Sequence, residues 1–536
     1  MKHEAKALRI IEVDQEIGLS DALAVVEGRA HLAILGAARA RCKAAESRLQ
    51  QCIDENRHVY GVTTGFGPLA NRLVSVADGM QLQQNLVHHL ASGVGPYFTW
   101  RESRAIVLAR LMSILQGVSG ASDRAISTLD AVLRSPLAPR IPSRGTVGAS
   151  GDLTPLAHLV LCLQGRGDFL RSDGAIIPGD AALAELHLPP LTLERRDGLA
   201  LVNGTSAMTG LAVLNAAAMR RSIGWAISLT GVLAEALGGH VEAWHAAFAQ
   251  VRPHPGQAAT SEALRRAVAG GDLVERGFSA DRTLTAKDAG QTEPRPGQDA
   301  YTLRCASQII GGAKDTLTWH DEIVLLELNS ATDNPIFPGS LDVLALHGGN
   351  FMGVQVGLAS DALSTASAVL AGLAERQIAR VTDERLNGGL PAFLHQGAPG
   401  LNSGFMGAQV TATALLAELR SGLSPVSAQS ISTNAANQDV VSMGTVAARR
   451  AGEHLRDLGL IQSILALCVV QASCLRQRQL KGTLSPNARA VTEMVRSVSR
   501  ELVDDRPLSQ DIEALATFMG QTPSPQEGVG TVLSDK

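Results

Sequence analysis

The chain has 536 residues, of which 45% are apolar and 18% charged, and its formal net charge is −4. That length leaves room for more than one compact unit, and the composition is globular rather than disordered or collagen-like. A small negative charge without long Lys/Arg runs excludes the electrostatic footprint of a nucleic-acid-binding protein.

The segment from Met1 to Lys6 leads into Ile10-Ile-Glu-Val-Asp14 without a continuous apolar run, so no secretory signal is expected there. Six scattered cysteines with no CxxC pair fit reduced thiols, and the expected location is the cytoplasm. Residues 1–204 read as an N-terminal region of mixed, short elements, with Gly- and Pro-rich loops at 61–71, 142–155 and 188–190. Residues 205–484 carry four long segments of helical periodicity, at about 205–237, 361–386, 404–420 and 452–480. In the second of these Leu363, Ala366, Leu370 and Leu373 recur at three- and four-residue spacing. Loops at 253–257 and 388–404 separate them. The most apolar stretch, Leu458 to Ala472, is interrupted by Gln462, Ser463 and Gln471, which predicts a buried core helix and not a membrane span. Residues 485–536 read as a helical segment followed by a polar tail after about Gln521. Strand signals are sparse. The expected fold is mainly α, a long central helical bundle with a smaller N-terminal mixed region that carries the chemistry.

The most informative stretch runs Gly145-Thr-Val-Gly-Ala149-Ser150-Gly151-Asp152-Leu-Thr-Pro155. Asp152 is a good N-cap and Pro155 suits a first helical turn, so a helix starts here with Ala149, Ser150 and Gly151 in a tight turn at its positive end. Alone, an Ala-Ser-Gly turn is an ordinary glycine-rich helix entry. The longer string, however, resembles the signature of the histidine and phenylalanine ammonia-lyase family. The resemblance continues, in the family's order, through Tyr60-Gly-Val-Thr-Thr-Gly-Phe-Gly67, Gln84-Asn-Leu-Val-His-His-Leu90, Leu201-Val-Asn203-Gly-Thr, Gln298-Asp-Ala-Tyr301-Thr-Leu-Arg304, Thr332-Asp-Asn-Pro335, His347-Gly-Gly-Asn-Phe351 and Asn437-Gln438-Asp-Val-Val-Ser-Met443.

The resemblance implies a self-made cofactor, a 4-methylidene-imidazol-5-one condensed from Ala149-Ser150-Gly151 with loss of two waters. The residue types suit that chemistry: Gly151 permits a compressed turn, Ala149 adds little bulk, and Ser150 has the β-hydroxyl to eliminate. No zinc pattern appears, since His240 and His245 are five apart and the cysteines are isolated. No Gly-x-Gly-x-x-Gly loop follows a strand, so neither a metal nor a nucleotide is implied.

By the same resemblance Tyr60 is the general base. A free phenol has a pKa near 10, so this role needs neighbours that favour the phenolate. Arg304 is the candidate for gripping the substrate carboxylate through its guanidinium fork. Gly67, Asn203, Tyr301 and Gln438 stand where the family supports the electrophile, the amine or the carboxylate. Phe351 resembles the residue packed beside the electrophile, and Asn434 and Met406 are expected to line the pocket. Family members are homotetramers whose sites draw residues from several subunits, which implies the same assembly here.

Selectivity in the family depends on the pair that is His89-Leu90 here, and His-Leu resembles the tyrosine-selective members. An imidazole can bond a phenol hydroxyl, and a polar site left unpaired by phenylalanine discriminates against it. Adjacent helical residues point about 100° apart, so one of the pair at most is expected to face the ring. Histidine-selective relatives carry a glutamate in place of Gln438, which argues against histidine as substrate. The resemblance therefore implies elimination of ammonia from L-tyrosine to trans-p-coumarate, with weaker action on L-phenylalanine giving cinnamate. The alternatives are a tyrosine 2,3-aminomutase and a non-catalytic structural or binding homologue. Phenylpropanoid supply, a chromophore and amino-acid catabolism all remain open as pathways.

Overall fold

A computed structural model describes residues 8–283, 297–339, 342–398 and 400–527. The N-terminal residues Met1–Lys6 and the end of the polar tail, 528–536, lie outside the described residues. The chain is mainly α, as its periodicity implies. Its longest helices are Ser206–Leu237, Ala306–Leu328, Val354–Thr382 and Gly444–Leu480. At 1.5 Å per residue the last, of 37 residues, spans about 55 Å. The segment Leu458–Ala472 is its buried core portion, with Leu458, Ile461, Ile464 and Leu465 essentially inaccessible.

The chain divides into two compact units that are interleaved in sequence. The first comprises Met1–Asn215, His320–Asp361 and Pro425–Gly452, and the second Ala216–Trp319, Ala362–Ser424 and Glu453–Lys536. Consecutive stretches such as 1–204, 205–484 and 485–536 do not coincide with these units, because each of the four longest helices runs from one unit into the other. The second unit has a helical core in which Leu229, Leu233, Ile310, Leu370, Ile378, Leu458 and Leu465 join one apolar cluster.

The first unit holds the short strands. Arg9–Val13 and Ala30–Ile34 pair in parallel with Ile11 opposite Leu32. Leu137–Pro139, Asp168–Arg171 and Ile176–Pro178 form a three-stranded antiparallel sheet. Val94–Tyr97 pairs antiparallel with Pro142–Arg144, so part of the stretch read as a loop at 142–155 is strand. From that strand the chain passes through Gly145–Gly151 into the helix Leu153–Leu163. The core of the unit is built on Leu108, Leu111, Met112, Leu156, Leu159 and Met208, and the helix Trp100–Leu115 runs through it, started by a capping box between Thr99 and Glu102.

One ionic contact fixes the segment Thr332–Pro335 in this unit. Arg196 and Asp333 are fully buried, and the guanidinium meets both carboxylate oxygens at 2.8 and 2.9 Å while also donating to the Asn334 carbonyl at 2.7 Å and the Ser119 carbonyl at 2.6 Å. A buried pair is a weak source of net stability, but removing one partner strands the other charge. Arg196→Met is accordingly expected to destabilise the protein by about 3–5 kcal/mol, with Arg196→Met/Asp333→Leu recovering much of the loss. Chemical denaturation checks this, and an unchanged midpoint in the single variant contradicts it.

Candidate active site

A cavity of about 680 Å³ opens in the first unit. It is lined by Tyr60, Gly67, His89, Leu90, Ala149, Ser150, Asn203, Phe351, Asn434 and Gln438, so ten of the residues singled out from the sequence come together. Gly151 adjoins it in the turn. Tyr301, Arg304 and Met406 are not among its lining residues.

The tripeptide turn is tightly confined. Gly151 has φ +71°, and a Cβ there would stand 2.1 Å from the Gly204 carbonyl oxygen, so no side chain fits. Ala149 and Gly151 are bridge partners, and Gly151 also bridges Gly204. The Asp152 N–H donates to the Gly204 carbonyl at 2.7 Å. Two side-chain amides converge on the central residue: Asn203 Nδ2 donates to the Ser150 carbonyl at 3.0 Å, and Gln438 Nε2 to Ser150 Oγ at 2.9 Å. Asn203 ends the helix Asp197–Val202, and its role goes beyond that of a turn residue. The buried Arg110 holds its backbone by donating to the Asn203 carbonyl, and burial pushes that guanidinium down to about 10.

Asp152 stands at the N-cap of Leu153–Leu163, but its side chain does not cap that helix. The carboxylate instead accepts from the Met208 N–H at 2.8 Å and from the Thr445 hydroxyl. The capping expectation therefore fails for the side chain, because two other segments supply its donors. Burial pushes the Asp152 carboxyl up to about 6, against those hydrogen bonds.

Tyr60 lies in the loop between the helices Gly36–Asp54 and Gly79–Leu90. Its Oη accepts from the Gly67 N–H at 2.9 Å, and its ring meets Phe66 edge to face at 6.1 Å. A donor aimed at the phenolic oxygen is the neighbour the base role calls for. Gly67 has φ +53°, and a Cβ there would lie 2.8 Å from Asn434 Nδ2. The loop is tied down by Gln83, a fully buried residue that donates to the Gly61 carbonyl at 2.8 Å and accepts from the Leu199 N–H at 2.9 Å.

His89 and Leu90 both line the cavity, against the expectation that one of them at most would face it. Leu82, Asn85, Leu86, His89 and Leu90 recur at three- and four-residue spacing along the helix Gly79–Leu90, one stripe broad enough that both members of the pair reach the cavity. His89 Nδ1 lies 3.0 Å from the Asn85 carbonyl oxygen. A carbonyl only accepts, so Nδ1 carries the hydrogen and a neutral ring keeps Nε2 as an acceptor. His88 is engaged elsewhere, with its Nε2 2.8 Å from both Gln84 Nε2 and Arg166 Nη1.

Asn85, Leu153 and Asn334 stand within the motifs quoted above without a role given to them, and Gln83, Leu199 and Met352 lie outside those motifs. Gln83 had a legible signal, a polar residue at the apolar spacing of Leu86, Val87 and Leu90.

In the second unit, Tyr301 and Arg304 share the short helix Tyr301–Arg304. Tyr301 is 66% exposed, and the Arg304 guanidinium sits 4.8 Å from its ring centroid and donates to Gln298 Oε1. Met406, the first residue of the helix Met406–Ser421, is also exposed.

Residues 17–497 match the family model described as aromatic amino acid lyase. The chain is 58% identical over 511 residues to a tyrosine ammonia-lyase of Cereibacter sphaeroides, covering 95% of this chain and 97% of that one. It is 39% identical over 502 residues to a MIO-dependent tyrosine 2,3-aminomutase of Streptomyces globisporus, covering 93% and 92%. The crystal structure of the tyrosine aminomutase from Streptomyces globisporus superposes with a TM-score of 0.89 at 37% identity, over 95% of this chain and 96% of that one. The chain therefore belongs to the aromatic amino acid lyase family and is a carbon–nitrogen lyase of the ammonia-lyase type.

Proposed function

We propose that the protein eliminates ammonia from L-tyrosine to give trans-p-coumarate, with weaker action on L-phenylalanine giving cinnamate. The observation that carries this reading is His89: its Nδ1 is committed to the Asn85 carbonyl, which leaves Nε2 as an acceptor at a cavity also lined by Tyr60 and Ser150. A tyrosine hydroxyl can donate to that nitrogen, whereas a phenylalanine ring leaves it unpaired.

The residues present fit a 4-methylidene-imidazol-5-one built from Ala149, Ser150 and Gly151. The backbone doubles back so that Ala149 and Gly151 are bridge partners, Gly151 has no room for a side chain, and both polar groups of Ser150 have amide donors. When formed, that group supplies an electrophilic exocyclic carbon and makes the substrate nitrogen a better leaving group. Asn203 and Gln438 hold the turn in register through those donors. Tyr60 Oη takes the β-proton, and the Gly67 N–H steadies the charge left on that oxygen. Leu90 and Phe351 present apolar surface to the ring, and Asn434 borders the Gly67 turn. No metal is called for by these roles.

The carboxylate anchor is Arg304, braced by Gln298 and Tyr301. We assign Tyr301, Arg304 and Met406 to the site through a homotetramer in which other copies supply them. Supporting this, Tyr301 and Met406 are exposed on the single chain. The helix Met406–Ser421 also leaves Gly407, Val410, Ala414 and Ala417 uncovered at three- and four-residue spacing, a stripe suited to close helix packing. The location that fits free thiols and this chemistry is the cytoplasm.

A tyrosine 2,3-aminomutase is the second reading, favoured by the similarity to the Streptomyces globisporus protein of that name. The two differ in how long the acrylate stays enclosed before release.

Incubation of the pure protein with L-tyrosine separates them: ammonia with p-coumarate is expected, and β-tyrosine as the main product overturns the lyase assignment. Ser150→Ala is expected to abolish turnover while leaving the helical fold intact, because a single loop methyl costs little stability. Turnover assays beside thermal melts check this, and wild-type rates in the variant contradict it. His89→Phe is expected to move relative kcat/KM toward L-phenylalanine by on the order of tenfold or more. An unchanged ratio for the two substrates removes His89 from the selectivity argument.

A further inference from the structure

Tyr60 is fastened at both ends. Beyond the Gly67 contact at Oη, its backbone N–H donates to His347 Nε2 at 3.1 Å. To accept that bond, His347 must be neutral, with its hydrogen on Nδ1. The residue after it, Gly348, donates its N–H to Asn334 Oδ1 at 2.6 Å. The Asn334 N–H donates to Asn203 Oδ1 at 2.9 Å, and Asn203 Nδ2 to the Ser150 carbonyl at 3.0 Å. A continuous path of four hydrogen bonds and three short covalent links thus joins the base to the tripeptide turn. Its middle is anchored by Arg196, which donates to the Asn334 carbonyl.

We infer that His347 is a positioning residue: in its neutral form it sets the Tyr60 segment against Ser150, and its protonation switches turnover off on the acid side. The inference rests on the base role given to Tyr60 above. The bond demands a lone pair on Nε2, and an imidazolium has none. The surroundings resist protonation, because partial burial, the neighbouring His58 and the positive Arg196 all push the His347 pKa below its ordinary value near 6.5. Asp333 pairs with Arg196 through both of its oxygens and tempers the guanidinium's share, which leaves burial as the leading cause. Turnover is therefore fully present above that lowered pKa and lost as the pH falls through it.

The experiment compares kcat and KM for L-tyrosine from about pH 5 to 9 in the wild type, His347→Ala and His347→Gln. Misplacement of a reacting group by about 1 Å costs on the order of 100-fold, so His347→Ala is expected to lose about 10- to 100-fold in kcat with KM within about threefold. His347→Gln offers an amide oxygen in place of Nε2 and does not titrate. It is expected to recover most of that loss and to shift the acid limb down by about one pH unit or more, a change a merely structural residue would not produce. Should His347→Ala fail to fold, the limb of His347→Gln against the wild type decides. A wild-type enzyme that is active, with the same acid limb in His347→Gln, overturns the inference alone. A wild type that makes neither p-coumarate nor β-tyrosine overturns the functional reading and the inference with it.

Discussion

The site depends on a contact between two stretches of backbone with no side chain between them. Gly151 and Gly204 approach so closely that a single methyl on Gly151 would collide with the Gly204 carbonyl, and the Asp152 N–H closes the contact from the next residue. Because that spacing is fixed, Asn203, one residue before Gly204, is brought within hydrogen-bonding distance of the Ser150 carbonyl. From the other side, the segment that follows Val426 delivers Gln438 to Ser150 Oγ, with Ser442 donating to the Gly148 carbonyl. A turn held by donors from segments far apart in sequence has few alternative conformations, which is the condition for a backbone to react with itself rather than with water.

Electrostatics under the turn follow from the same confinement. Asp152 is buried and must take its hydrogen bonds from Met208 and Thr445, so it is tied to two other segments at the cost of a raised pKa. On the cavity side the groups are chiefly neutral amides, a phenol and an imidazole whose tautomer is set by the Asn85 carbonyl. Such a cavity sets an imidazole acceptor beside apolar surface. On the second unit, the Arg304 guanidinium is held by Gln298 and by the face of the Tyr301 ring.

Much of this was legible in the letters. Long helices were read from three- and four-residue apolar spacing, and Ser206–Leu237 and Met406–Ser421 fall within about two residues of where that spacing places them. The helix read at about 361–386 starts earlier, at Val354, because Val354, Val356 and Leu358 alternate with a period of two, which is not a helical pattern, and it ends at Thr382, where Asp383 and Arg385 bond each other in a turn. The tripeptide, Tyr60, Asn203 and Gln438 were found through motifs, and geometry adds their partners. Three things were not readable. Asp152 looked like a cap because N-cap preference is local, whereas its donors come from residues 208 and 445. Helical rotation separates His89 from Leu90 by about 100°, but the stripe that begins at Leu82 is broad enough to hold both. Asn334 acts through backbone contacts that leave no pattern in one sequence.

The central claim is that Ala149, Ser150 and Gly151 condense with one another. The most direct measurement is the mass of the proteolytic fragment containing Ser150 from natively purified protein. The account predicts a fragment lighter than its sequence by two waters, and a fragment at its full unmodified mass in turnover-competent protein contradicts it.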